Sequence, residues 1–167
     1  MATILRASEQ NFIESPNKID SFRIFTDMSR IEKGLNPENL NFDLRKLSPG
    51  QYSAPYHFHE FAEELFMIIS GSATVRTPEG LEIVNTGDLL FFEKGKAGAH
   101  QLYNHTSEVC IFLDVRTYLG YDLCEYPDSN KILIAHSMET YKKDSASGYF
   151  DGEENAREKW SQLEYKN

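Results

Sequence analysis

Hydrophobic positions along this chain fall into short runs at strand spacing, broken at regular intervals by glycine and proline. Leu40 to Leu47 sets Phe42, Leu44 and Leu47 among Asp43, Arg45 and Lys46, the pattern of a half-buried strand. Ser48-Pro49-Gly50 then reads as a turn. Leu65 to Ser70 is apolar on both faces and stops at Gly71. Ala73 to Thr77 and Leu81 to Val84 flank the hairpin turn Pro78-Glu79-Gly80, and Thr86-Gly87-Asp88 turns the chain into the apolar run Leu89 to Phe92. Lys94 to Ala99 is a glycine-rich loop, His100 opens a further strand, and Val109 to Val115 is another. Turns at this spacing predict an all-β sandwich or barrel. The pattern does not repeat internally, so one copy is expected.

The flanks differ. Residues 1–20 are polar and irregular, broken at Pro16-Asn17, and read as an N-terminal arm. Phe22 to Phe25 fits a short strand, and Met28 to Gly34 a turn or helical piece ending at glycine. Past Tyr118 come a strong turn, Tyr126 to Asn130, and an edge strand, Lys131 to Ala135. Glu153 to Tyr165 carries Ala156, Trp160 and Leu163 at helical spacing. That apolar face is thin, so a helix there is expected to dock rather than stand alone. The expected division is an arm over 1–20, a barrel over 21–136, and a C-terminal extension over 137–167 packing on the barrel.

Composition narrows the function. The 167 residues are 40% hydrophobic and 13% aromatic, enough for a core and against wholesale disorder. Lys and Arg number 17 against 26 Asp and Glu, a formal net charge of −9, which disfavours nucleic acid and anionic membranes as partners. The N-terminus has no basic patch ahead of an apolar core, and Leu65 to Ile69 is too short to cross a bilayer. Cys110 and Cys124 are too few for a disulfide scaffold. A soluble cytoplasmic protein is expected.

The chemistry-bearing residues are histidines. In His57-Phe58-His59, alternation aims both imidazoles at one interior point. Glu64 can reach that point from the next strand, and His100 from the following hairpin. Imidazole and carboxylate together are the usual ligands of a borderline divalent metal. The sequence therefore reads as a metal-binding β-barrel.

These residues resemble both signature segments of the cupin superfamily. The first runs Gly, five residues, His-x-His, three or four residues, Glu, six residues, Gly. Here Gly50 precedes His57 by six residues, one more than the pattern, and Glu64 and Gly71 follow at the family spacing. The second runs Gly, five residues, Pro-x-Gly, two residues, His, three residues, Asn. Here Gly87, Glu93-Lys94-Gly95, His100 and Asn104 stand in order, with Glu93 for proline and two extra residues before His100. The longer loop is similar to small bacterial single-domain cupins.

The resemblance implies a double-stranded β-helix (jelly-roll) with His57, His59, Glu64 and His100 holding a divalent transition metal: manganese, iron, nickel or zinc. Family members are dioxygenases, decarboxylases, isomerases and plain binding proteins, so fold does not select function. A metal-dependent enzyme on a small polar, carboxylate or sugar-like molecule is expected, the alternative being a non-catalytic cupin that binds or senses a small ligand. Only one of Glu63 and Glu64 can point inward, and the spacing to Gly71 favours Glu64, with Phe66 and Ile68 on its face. Phe66 and Phe91 are expected in the core, Tyr52 and Tyr103 at the core or barrel mouth, and Tyr56 at the pocket. Arg76 would meet an anionic substrate if its strand turned it inward. Asn104 is expected to brace a turn, and His105 and His136 to lie at the surface. No second acid or base beside the ligands can be named. An outer face bearing Leu65, Met67 and Ile69 suggests a homodimer.

Overall fold

The structure, a computed structural model, describes residues 2–16, 18–117 and 119–161. Thirteen short strands account for most of the order: β1 (Phe12–Glu14), β2 (Ile24–Asp27), β3 (Leu40–Leu47), β4 (Phe58–His59), β5 (Glu64–Ser70), β6 (Ser72–Thr77), β7 (Gly80–Asn85), β8 (Leu89–Phe92), β9 (Gln101–Tyr103), β10 (Cys110–Thr117), β11 (Leu123–Tyr126), β12 (Lys131–Ile134) and β13 (Glu139–Lys142). Helices are the single turn α1 (Ser29–Glu32) and the short α2 (Ala156–Ser161). All strand pairs are antiparallel. They form a six-stranded sheet in the order β1-β2-β3-β10-β5-β8, a three-stranded sheet β7-β6-β9, and a four-stranded sheet β13-β12-β11-β4. This is an all-β jelly-roll: the turn spacing predicted the all-β class, and the family resemblance implied the jelly-roll.

The core fills the space between the six- and three-stranded sheets. Leu47, Ile68, Leu102, Cys110 and Phe112 are fully enclosed, with Phe66, Val75, Leu90 and Phe92 around them. Alternation sets which side chains enter: along β10, Cys110, Phe112 and Asp114 are buried, while Ile111, Leu113 and Val115 face outward.

Register makes one face unexpected. On β3, Leu47, Arg45 and Asp43 pair with the inward residues Cys110, Phe112 and Asp114 of β10. The polar side of β3 therefore looks into the jelly-roll, and Phe42 and Leu44, expected to be buried there, look out. They share an outer cavity of about 310 Å³ with Leu5, Arg6 and Gln10 of the N-terminal segment. That segment is less irregular than its composition suggested, because Phe12–Glu14 forms β1 at the edge of the large sheet. Lys131–Ile134, expected at an edge, lies between β11 and β13. Phe91, expected in the core, is 59% exposed, and its neighbour Phe92 points inward. In the C-terminal helix, Ala156 and Trp160 are exposed, and Leu163 lies outside the described residues.

Candidate metal centre

Three backbone pairings assemble one end of the jelly-roll. His57 and His100 face each other through reciprocal main-chain hydrogen bonds of 3.2 and 2.8 Å. His59 lies on β4 opposite Cys124 of β11. Glu64 opens β5 opposite Arg116 of β10. Glu64 is buried whereas Glu63 is exposed, so the strand turns Glu64 inward together with Phe66 and Ile68.

The side chains converge. Glu64 Oε2 lies 3.0 Å from His100 Nε2 and 3.3 Å from His59 Nε2. Candidate ligand atoms of His57, His59 and Glu64 all fall within 4.8 Å of one another. The His57 ring centroid is 4.7 Å from that of His100 and 5.2 Å from that of His59. Each imidazole is held from behind through Nδ1: His57 by Pro55 O at 2.9 Å, His100 by Gly98 O at 2.8 Å, and His59 by the Asp122 carboxylate. A partner at Nδ1 fixes the ring orientation and turns Nε2 into the site. Phe92 stacks on His100 with centroids 3.8 Å apart, and Phe66 meets the same ring edge-on. These rings hold the imidazole in one orientation.

Charge in the cluster is unbalanced in an informative way. Enclosure by protein and the nearby His100 pull the His57 imidazole down to about 3, so it is neutral at physiological pH. Burial opposes charge on His59 too, but Asp122, Cys124 and Glu64 outweigh it and raise that imidazole to about 11. Burial likewise works against ionised Glu64, yet His100 and His59 hold its carboxyl well below the usual range. A proton on His59 thus supplies the positive charge beside Glu64, and a metal ion would have to displace it from Nε2. Among the described residues, His59 Nε2, His100 Nε2 and Glu64 Oε2 are buried polar atoms with no aligned hydrogen-bond partner. Such orphans are costly unless something else satisfies them.

A second group of residues, invisible in the sequence, surrounds the first. Asp122 and Cys124 both approach His59 Nδ1, the thiol at 3.3 Å. Asp122 also accepts a bond from the Phe61 N–H at 3.1 Å, and its pairing with His59 keeps it ionised against burial. Asp114 is buried beside Glu64, and burial and that carboxylate push it up to about 6 against the pull of Arg45 and Arg116. Tyr126 lies across His57 with centroids 5.8 Å apart and planes 23° from parallel, and burial pushes its phenol up to about 12. A cavity of about 120 Å³ opens on this end, lined by His57, Glu64, Arg45, Asp114, Arg116 and the apolar Phe112 among others.

Other expected participants sit elsewhere. Arg76 makes a two-pronged ion pair with Asp128 and lies over the Tyr56 ring, away from the histidines. Tyr56 is buried with Phe58 and Ala99, on the opposite face of the chain from His57. Tyr52 stacks on Tyr103. Asn104 is fully buried and bonds Leu47 O, Glu108 O and Thr106, bracing the turn. His105 and His136 are exposed.

Comparison with known proteins agrees with this geometry. The sequence profile of the cupin domain matches residues 44–116. That segment is similar to a cupin domain. None of the curated proteins shows detectable sequence similarity to it. A solved structure of a sugar phosphate isomerase of the cupin superfamily from Silicibacter pomeroyi is 22% identical, with a TM-score of 0.73 over 89% of this chain and 98% of that one. A protein from Acidithiobacillus ferrooxidans with a proposed sugar phosphate isomerase assignment is also 22% identical, with a TM-score of 0.74 over 87% and 95%. A predicted oxalate decarboxylase from Thermotoga maritima is 21% identical, with a TM-score of 0.54 over 70% and 100%. At such identity these likenesses speak for the fold alone.

The chain departs from the cupin pattern in the loop before His100, and the structure shows how the departure is absorbed. Lys96–Gly98 forms a single 3-10 turn, and the Gly95 N–H donates to His59 O at 2.6 Å. A Cβ on Gly98 would lie 1.7 Å from Glu93 O, so only glycine fits where the loop folds against itself. The carbonyl of that glycine is the one that orients His100. Cupin folds commonly hold a metal, and three orphaned polar atoms beside three back-braced imidazoles suit one.

Proposed function

We propose that this cupin is a metal-dependent enzyme acting on a small polar, carboxylate or sugar-like molecule, with His57, His59, Glu64 and His100 holding one divalent transition metal. The observation that carries the reading is the set of buried atoms without an aligned hydrogen bond, His59 Nε2, His100 Nε2 and Glu64 Oε2, gathered at one point while Nδ1 of each histidine is engaged elsewhere. Nitrogen and oxygen donors of this kind suit manganese, iron, nickel or zinc. When bound, such an ion supplies Lewis acidity, an activated water, or dioxygen chemistry according to its identity.

The chain's own residues do the rest. Asp122 holds His59 in the Nδ1–H tautomer and strengthens its donor nitrogen. Tyr126 holds a neutral phenol ring against the His57 imidazole and so fixes the orientation of that ring. Phe66, Phe92 and Phe112 exclude water from behind, which strengthens every charge interaction in the cavity. The proteins named sugar phosphate isomerase and oxalate decarboxylase act on small oxygenated anions by those names, which is consistent with this reading.

Elemental analysis of untagged protein tests the centre: about one ion per chain is expected, with His59→Ala reduced by more than about 100-fold in affinity, beyond the loss from removing a residue that only orients a ligand. Equal metal content in the two would overturn the ligand set. Turnover of small hydroxy acids or sugars with added Fe(II) or Mn(II) separates an enzyme from a ligand sensor; tight binding with no product favours the sensor.

A further inference from the structure

We infer that the ligand of this site is a short-chain carboxylate received by Arg116, a specificity-determining residue; this rests on the metal reading above and adds the substrate class to it. Arg116 belongs to the inward row of β10, after Phe112 and Asp114, and lines the 120 Å³ cavity together with His57 and Glu64. A guanidinium carries five N–H donors. Its ion pair with Glu64 Oε1 is long, at 3.8 Å, outside hydrogen-bond reach.

The other arginine of the cavity is spent. Arg45 donates to Asp114 at 2.8 Å, to Asp43 at 3.2 Å and to Thr26 at 3.2 Å. Arg76, on the far side of β4, is occupied by Asp128. Arg116 is therefore the cation with donors to offer where a ligand would meet the imidazoles. Its charge is secure: burial disfavours it, but Asp114 and Glu64 more than compensate. Once Glu64 serves a metal, Arg116 loses the neighbour that partly neutralises it.

Size and charge choose the ligand. At about 30 Å³ per water, the cavity holds roughly four waters, room for a molecule of very few carbons. Ile24, Phe66 and Phe112 give it an apolar wall for a short carbon segment. One free guanidinium beside the carboxylates of Glu64 and Asp114 suits a singly charged planar carboxylate, which it can grip through two N–H groups.

Calorimetric titration of the metal-loaded protein with glycolate, ethylene glycol and inorganic phosphate tests this, beside Arg116→Gln and Arg116→Lys with metal content measured on each. Glycolate should bind well above ethylene glycol and phosphate. Arg116→Gln should weaken glycolate by about 10- to 100-fold, the loss of a charge-assisted pair, with metal content unchanged. Arg116→Lys should recover part of the loss. Glycolate bound equally by wild type and Arg116→Gln, or phosphate bound more tightly than glycolate, would overturn the assignment. A wild-type chain that takes up no metal would instead sink the metal reading, a failure visible before any ligand is added.

Discussion

The centre has two walls of different origin. One comes from residues 57–100 and consists of donor atoms: His57, His59 and His100, with Glu64 between them. The other comes from residues 114–126 of β10 and β11 and consists of groups that act on those donors or on what enters: Asp114, Arg116, Asp122, Cys124 and Tyr126. Each histidine of the first wall is aimed by a partner, but the partners are unlike. His57 and His100 use backbone carbonyls two residues away in their own segment, whereas His59 uses a carboxylate 63 residues further on. Local carbonyls orient a ring at fixed strength. A remote carboxylate adds charge, and so tunes the donor as well as aiming it. On the proposed metal reading, the first wall supplies the ligands, and the second tunes them and meets what enters.

The largest effect on this contrast should come from Asp122→Ala. It leaves every donor atom of the first wall in place and removes only the charge behind His59. Metal affinity should fall by about 10- to 100-fold, measured by competition with a chelator, because losing the partner of a ligating histidine typically costs that much. Asp122→Asn keeps a hydrogen-bond acceptor and loses the charge, so its loss should be smaller and its metal uptake should move to a different pH. If both variants bind metal as wild type does, the second wall is scaffolding only.

The difference between the walls also explains what could be read from the chain. The first wall follows from strand alternation: His57 and His59 must share a side, and adjacent Glu63 and Glu64 must not. β3 was legible from its alternation, β5 and β8 as short apolar runs bounded by turns, and the bracing role of Asn104 from its turn chemistry. Faces were harder. β3 bears apolar Phe42 and Leu44 on one side and Asp43 and Arg45 on the other, and hydrophobicity alone buries the wrong side. Which side enters is decided by a tertiary fact, the cover supplied by the N-terminal segment over Phe42 and Leu44. Phe91 and Phe92 pose the same problem, since a run apolar on both faces carries no parity. Asp122 and Cys124 left no signal: β11 is four residues long, and only its pairing with β4 reveals them.

Gly98→Ala probes the first wall through its backbone. The methyl would overlap Glu93 O, and neither chain segment can yield alone, since Gly98 O holds His100 and Gly95 N holds His59 O. A destabilisation of about 1–3 kcal/mol is expected from such overpacking, read by urea denaturation. Metal affinity should fall with it, because the carbonyl behind His100 moves. A variant that loses stability while keeping wild-type metal affinity would show that the loop orients nothing.

The smallest effect should come from a residue on neither wall. Asp27, at the end of β2, is buried and accepts bonds from the Asn11 N–H at 2.8 Å, the Ser29 N–H at 3.1 Å and the Ser29 hydroxyl at 2.7 Å. Burial would raise its carboxyl, but these donors outweigh that and hold it below its ordinary value. A group depressed in the folded state stabilises fully above its unfolded value, about 3.9, and that contribution is lost as pH falls through the lower folded value. Asp27→Asn should therefore cost about 1 kcal/mol at neutral pH and progressively less in acid. Urea melts at pH 7 and near pH 3 would show the gap narrowing. Metal affinity should be unchanged, because Asp27 braces the strand that carries the N-terminal segment and touches neither set of site residues. A fall in metal binding as large as that of Asp122→Ala would mean that affinity follows global stability and that the two walls cannot be told apart by it.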